Sequence, residues 1–501
     1  METVIVDGGP LTPGQVASVA LNDAPVEVSP HLDDRLRPAR RVVDEAVDSE
    51  DVVYGITTGF GALATTHIGK SEAEALQYNL LRSHATGVGE MLPDEVVRAM
   101  LLLRARTLAQ GHSGVRPVIV TKLLELLSTG HLPVVPSQGS VGASGDLAPF
   151  AHLALPLIGE GQLRVDGVVR DTTETEFKPV SLLTKEGLSL LNGTEGMAAM
   201  GVIALHHSRN LLLAADAAAA LSVEALFGSS RPFRPEIHAL RPHPGQIASA
   251  ARIASLITGS EIIESHSEDF HHAVQDAYSL RCAPQVHGAV SDTLDYLESV
   301  LTIELGSVVD NPIVFPESGE VISGGNFHGQ PLAFACDYAT IAVSELASIA
   351  ERRTDRILDP VRSQGLPAFL AAKPGVESGY MITQYVQAAL VAENKVLAHP
   401  ASVDTVPTSG GQEDHVSMGW GGARKLLTVI ENVRRALAIE ILCAVSGIEH
   451  RFPLKPGEKT ARLVAMVREV VPPLTTDRSP APDIAAVSDL IESGSIADLA
   501  R

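Results

Sequence analysis

The chain has 501 residues and a formal net charge of −22, from 60 acidic against 38 basic side chains. That excess of negative charge repels nucleic acid and anionic membrane alike, so neither is an expected partner and a soluble protein is the expected class. The cysteines, Cys282, Cys336 and Cys443, are three in number and widely spaced, which gives neither a disulfide framework nor a zinc pattern and points to a reducing, cytoplasmic setting.

In chain order, the opening METVIVDGGPLTPG has no basic region followed by an apolar core and does not read as a secretory signal. Up to about residue 195 the pattern is mixed. Short β-like runs, VSPH and GVVRD, read as hairpins or edges, and they alternate with glycine-bearing polar stretches. YGITTGFGAL carries Tyr54 in a loop, and its G-x-G lacks the third glycine of a dinucleotide site. RSHATGVGE places Ser83 and His84 ahead of a Gly-Val-Gly turn. LLNGTEG puts Asn192 at a helix start, where the plain role is an N-cap.

From residue 196 onward the pattern is helical. Met197–Phe227, Val286–Leu305, Cys336–Leu358, Met381–Leu397 and Gly422–Ser446 repeat apolar residues three and four apart, and their many alanines permit close packing in a bundle of long helices. The most apolar stretch, Asn210–Phe227, is interrupted by Asp216 and Glu224 and suits a buried helix better than a membrane span. The sequence thus divides into a region 1–195 and a helical body 196–501, with PIVF as a further β-like run and Val470–Asp483 as a surface loop ahead of a last helix.

Within the body, QDAYSLRCAPQ carries Gln275, Tyr278 and Arg281. A helix there sets Tyr278 and Arg281 on one face, and an Arg among small and apolar residues suits a carboxylate clamp as well as it suits a surface cation. SGGNFHGQ supplies Asn326 and Phe327 in a glycine turn, and GGQEDHVSMGW supplies Glu413. HSEDFHH, with His266, Glu268, Asp269, His271 and His272, lacks H-E-x-x-H spacing and reads as a polar loop, so no metal is expected.

GSVGASGDLAPF, residues 139–150, is the least ordinary stretch. Its bland reading is a helix start, with Ser144 or Asp146 capping Leu147–Leu157. Asp146 stands where a serine-hydrolase elbow needs glycine, and a phosphate loop needs a lysine that is missing. What remains is backbone chemistry: without a Cβ, the Gly145 nitrogen is free to approach the Ala143 carbonyl carbon.

Taken in order from Tyr54 to Trp420, the stretches YGITTGFG, RSHATGVG, GSVGASGDLAP, KEGLSLLNGTEG, DAYSLRCAPQVHGA, DNPIVF, SGGNFHGQP and ASVDTVPTSGGQEDHVSMG resemble the histidine ammonia-lyase family, within the aromatic amino acid ammonia-lyases and aminomutases. The resemblance implies a mainly α fold with a long central helical bundle of the fumarase/aspartase type, shared in a homotetramer whose active sites draw on more than one subunit. It implies that Ala143, Ser144 and Gly145 cyclise, with loss of two waters, into 4-methylideneimidazol-5-one (MIO), so that no external cofactor is required. The implied reaction is elimination of ammonia from L-histidine to trans-urocanate; a 2,3-aminomutase acting on histidine or a related aromatic amino acid is the alternative.

Residue by residue, the resemblance places Tyr54, Tyr278 and Glu413 with the tripeptide in the catalytic set, Tyr54 as the base. Ser83, His84, Asn192, Gln275, Arg281 and Phe327 fall in the substrate-binding set. Ser83-His84 stands where similar phenylalanine lyases carry Phe-Leu, and Glu413 accepts a hydrogen bond from an imidazole and disfavours a bare phenyl ring. The chain departs from the common pattern at Ile56-Thr57 and Gly410-Gly411, which bears on loop mobility and hence on the choice between lyase and aminomutase.

Overall fold

The computed structural model describes residues 1–49, 52–53, 55–59, 68–266 and 275–501. Among them lie nineteen α-helices and nine short strands, so the protein is mainly α, as the periodicity predicts. Two compact units each combine three stretches of chain: Met1–Ile203, Leu297–Asp337 and Pro400–Arg424 in the first, Ala204–Tyr296, Tyr338–His399 and Lys425–Arg501 in the second. This partition follows packing, whereas the boundary near residue 195 follows local composition.

The first unit holds all four small sheets. Val26–Val28 pairs in parallel with Val4–Val6, so only the first residue of the VSPH run lies in a strand, in a parallel pair and not a hairpin. Val168–Asp171 and Gln162–Val165 do form an antiparallel hairpin, as do Ile313–Phe315 and Glu320–Ile322. The Gly87-Val88-Gly89 stretch is no turn. It leads into the strand Val88–Met91, antiparallel to Pro136–Gln138 with a register shift between the paired ends. Helix Asp94–Ala109 is half-buried at Asp94, Glu95 and Arg98 and buried at every other position, so Arg104 and Arg106 within it are carried into the interior.

The long helices beyond residue 194 are Glu195–Ala225, Ala283–Glu304, Gln330–Leu358, Met381–Leu397 and Gly419–Glu449. Four of the five begin earlier than the predicted start, by two residues at Glu195, three at Ala283 and Gly419, and six at Gln330, with Pro284 and Pro331 each at the second helical position, which a first turn accepts. In the second unit the alanines Ala214, Ala215 and Ala217–Ala220 are fully buried, and the charges among them are paired. Asp216 accepts from Ser249, Arg252 and His287, and Glu440 from Ser222 and Arg353. Val471–Pro480 is the expected loop, but two helices follow it, Ala481–Glu492 and Ser495–Ala500. Among the described residues one helix, Gln330–Leu358, is long and apolar enough to cross a membrane, and 61% of its most apolar window is buried inside the protein, as in a core helix.

Candidate active site

The tripeptide lies in the first unit, between the strand Pro136–Gln138 and the helix Leu147–Ala154. Ser144 and Gly145 are both left-handed, at φ +52° and +79°. For Gly145 this conformation and the space around it both forbid a side chain. A Cβ there would lie 2.1 Å from the Gly193 carbonyl oxygen, which forms a bridge with the loop. The Asp146 amide donates to the same oxygen at 2.9 Å. Asp146 occupies the N-cap position of the helix yet does not cap it. Its fully buried carboxylate accepts instead from the Met197 amide at 2.9 Å and the Ser140 hydroxyl at 3.2 Å, and burial pushes its pKa up to about 7.

Asn192 is not an N-cap, since its helix begins three residues later at Glu195. Its Nδ2 donates to the Asn311 carbonyl at 2.9 Å, and that carbonyl can only accept, so Oδ1 is turned toward Ser144 and receives its hydroxyl at 2.6 Å. The backbone carbonyl of Asn192 accepts from Arg104, whose other nitrogen pairs with Glu195 at 2.8 Å and whose guanidinium lies 4.3 Å from the centre of the Phe150 ring. On the other side Lys185 pairs with Asp310 at 2.8 Å and donates to Ser189, and Asp310 holds the Asn311 amide. Arg104, Glu195, Lys185 and Asp310 are absent from the expected site. Their signal in the sequence is a charge inside an apolar run, as in MLLLRARTLA, where burial demands a partner but does not say which.

His84 ends the helix Lys70–His84. Its Nδ1 faces the Leu80 carbonyl at 2.9 Å, which fixes the proton on Nδ1 and leaves Nε2 as an acceptor; Ser83 Oγ stands 3.1 Å from the same Nδ1. Burial lowers the His84 pKa, against the pull of the Glu413 carboxylate, which is near enough to raise it. Glu413 is half-buried, accepts from Thr408 Oγ1 at 2.6 Å and bridges Thr408 through its backbone. Between them Gly410 and Gly411 are left-handed, at φ +64° and +88°, a turn that the glycines at this departure from the family pattern accommodate without strain. The segment is fastened to the tripeptide loop by the Met418 amide on the Val141 carbonyl at 2.9 Å.

In the second unit Tyr278 and Arg281 share one short helix, with the guanidinium 4.6 Å from the centre of the Tyr278 ring and its Nε on the Asp276 carbonyl at 3.0 Å. Gln275 sits in the bend before it. In the first unit Phe327 is half-buried in the turn after Asn326, whose side chain donates to the Val308 carbonyl. Tyr54 lies outside the described residues; Thr57, three residues on in the sequence, is buried and tied to Val53. The histidine-rich stretch is likewise outside them except for His266, whose ring faces two backbone carbonyls. Among the described residues no group of three or more His, Cys, Asp or Glu could hold a metal ion.

The residues present fit a ring made from the tripeptide: the serine hydroxyl has an acceptor, and the glycine is held where a methyl group has no room. The histidine ammonia-lyase of Deinococcus radiodurans is 51% identical over 97% of this chain and 93% of its own length, and that of Sorangium cellulosum is 50% identical over 98% and 97%. The crystal structure of histidine ammonia-lyase from Trypanosoma cruzi superposes with a TM-score of 0.91 at 43% identity, covering 100% of this chain and 95% of that one. Tyrosine aminomutase from Streptomyces globisporus gives 0.93 at 39% identity, covering 99% and 98%. With the aromatic amino acid lyase family model matching residues 11–469, the chain belongs to that family.

Proposed function

We propose that this protein eliminates ammonia from L-histidine to give trans-urocanate, with an MIO ring formed from Ala143, Ser144 and Gly145. The observation that carries the ring is the Ser144 hydroxyl on Asn192 Oδ1 beside a left-handed Gly145 that cannot bear a side chain. Cyclisation joins the Gly145 nitrogen to the Ala143 carbonyl carbon and expels one water, and loss of the Ser144 hydroxyl with its α-hydrogen expels the second. The ring supplies an electrophile for the substrate and so makes its amine a better leaving group.

The remaining work falls to side chains. The β-hydrogen is barely acidic, so Tyr54 is the base that takes it, and a tyrosine in that role needs neighbouring positive charge or dipoles to lower its pKa. Arg281 grips the substrate carboxylate with its fork, and Tyr278, Gln275, Asn192 and Phe327 complete the walls around the reacting atoms. His84 Nε2 and the Glu413 carboxylate are two acceptors; either can take the single N–H of a neutral imidazole, both together those of an imidazolium, and they offer nothing to a phenyl ring. The same reading includes a cytoplasmic homotetramer with shared sites. Free thiols support the compartment, and exposed apolar side chains such as Tyr278, Ile303 and Tyr338 support a further layer of protein over them.

Incubation with L-histidine and separation of the products tests the reading. Urocanate and ammonia in equal amounts are expected, from a protein whose intact mass is lower than its coded chain by two waters. β-Histidine with little ammonia would replace the lyase by an aminomutase, and a full-mass chain with full activity would remove the ring.

A further inference from the structure

We propose that His152 is a positioning residue for substrate recognition: it fixes the exit of the Ser83-His84 segment onto the helix that follows the tripeptide. The inference rests on the reading of His84 as the group that meets the substrate imidazole.

Helix Leu147–Ala154 begins immediately beyond Gly145-Asp146 and is anchored there by the bonds of Asp146 to Gly193, Met197 and Ser140. His152 lies on its last turn, and helix Lys70–His84 packs against it. Beyond His84 the chain turns through Ala85 and Thr86, whose amide returns to the His84 carbonyl at 2.8 Å. It is then caught at Gly87, where the backbone N–H donates to His152 Nε2 at 3.0 Å. The segment that carries His84 is therefore held at both ends, by Leu80 and Leu81 before it and by His152 after it.

The bond specifies the imidazole closely. Nε2 must accept, so His152 is neutral with its proton on Nδ1, and half-burial holds its pKa below that of a free histidine, which keeps it so. The fit is also close in space. A Cβ on Gly87 would lie 3.2 Å from the imidazole and 3.3 Å from Pro136, and a Cβ on Gly139 would lie 3.0 Å from the Gly87 backbone. Gly87 thus sits between the imidazole and the strand that leads into the tripeptide loop, and the imidazole supplies the acceptor for its amide. An apolar side chain fills the space of the imidazole and leaves that amide without a partner. A glutamine keeps an acceptor near the Nε2 position, whereas an asparagine is too short to reach it.

The test is steady-state kinetics on L-histidine with full-length His152→Leu, His152→Gln and His152→Asn, each checked by intact mass, with His84→Leu as reference. His152→Leu and His152→Asn are expected to raise KM by about fivefold or more, the range for a lost hydrogen bond. Their kcat and two-water mass deficit are expected to stay within about twofold of wild type and unchanged, respectively, and His152→Gln to restore KM. A raised KM in His84→Leu with an unchanged KM in His152→Leu overturns the positioning role alone, while an unchanged KM in His84→Leu overturns the reading of His84 and this inference with it. Loss of the mass deficit in His152→Leu assigns the residue to ring formation instead and also overturns the inference. If His152→Leu fails to accumulate, the Gln and Asn variants decide: equal KM values in the two are the overturning result.

Discussion

Gly145→Ala separates geometry from chemistry at the tripeptide. Every atom needed for ring closure survives the change, because the nitrogen that attacks and the serine that loses water are untouched. What the methyl group meets is the Gly193 peptide, at 2.1 Å from its oxygen, 2.4 Å from its carbonyl carbon and 2.7 Å from its nitrogen. Relief to ordinary contact requires the two strands of chain to part by more than ~1 Å. That movement breaks the Asp146 amide bond to the Gly193 carbonyl, now 2.9 Å. An alanine at φ +79° adds about 1–2 kcal/mol, and an unpaired buried amide about 1–3 kcal/mol, so roughly 2–5 kcal/mol of loop stability is lost. The whole-protein reserve of about 5–15 kcal/mol is larger, so the variant still folds, with a displaced loop. Intact mass reads the result directly: Gly145→Ala is expected at the full mass of its coded chain, with a lowered melting temperature and no turnover. A variant that showed the two-water deficit and near-normal turnover would refute the claim that the Gly193 contact sets the loop.

Three further outcomes follow from the site. Asp146→Asn removes a buried carboxyl whose pKa rises from 3.8 when unfolded to about 7 when folded, chiefly through desolvation. A raised folded pKa gives stability that is complete below about pH 4 and lost as pH climbs toward 7, by up to ~1.4 kcal/mol per pH unit, so melting curves of wild type and variant should diverge across that window and run parallel above it. Tyr54→Phe is expected to lower kcat by about 10²-fold or more with the mass deficit intact, as befits a lost base; normal turnover would require a different base. Glu413→Gln keeps the shape and removes the charge, so it should cut kcat/KM for L-histidine by about tenfold or more at nearly unchanged melting temperature, since a hydrogen bond to a charged group contributes ~1.5–3 kcal/mol.

The helices were legible because periodicity is a local property. Met381–Leu397 appears with the bounds its apolar repeat predicts, and the other long helices differ mainly by starting two to six residues earlier. The glycine-rich loop was legible for the same reason, since glycine is the residue that a left-handed backbone favours. The strand at Gly87-Val88-Gly89 was not, because its partner Pro136–Gln138 lies some fifty residues away and two glycines carry no β pattern of their own. Asp146 looked like a helix cap because its position is right for one. Only the fold shows that the half-buried Ser140 and the amide of Met197 take its two oxygens. Recognition residues came from the family resemblance, and nothing in the spacing of Ser83, His84 and Glu413 brings them near one another; the chain from Pro400 to Arg424 does so by returning to the first unit.

The buried charges around Asn192 are the part that sequence reasoning could least supply, and their energetics explain why. Arg104–Glu195 and Lys185–Asp310 are sealed from solvent, and such pairs seldom stabilise a protein more than apolar residues of equal volume would. Apolar replacements, however, would present no donor to the Asn192 carbonyl and no lock on Asp310, whose carboxylate holds the amide of Asn311, the residue whose carbonyl orients the Asn192 side chain. Each pair therefore ends on a different handle of the same residue, one on its backbone and one on its amide. With both handles fixed, Asn192 has a single way to face Ser144, and the direction of one hydroxyl is set by two charge pairs that never touch it.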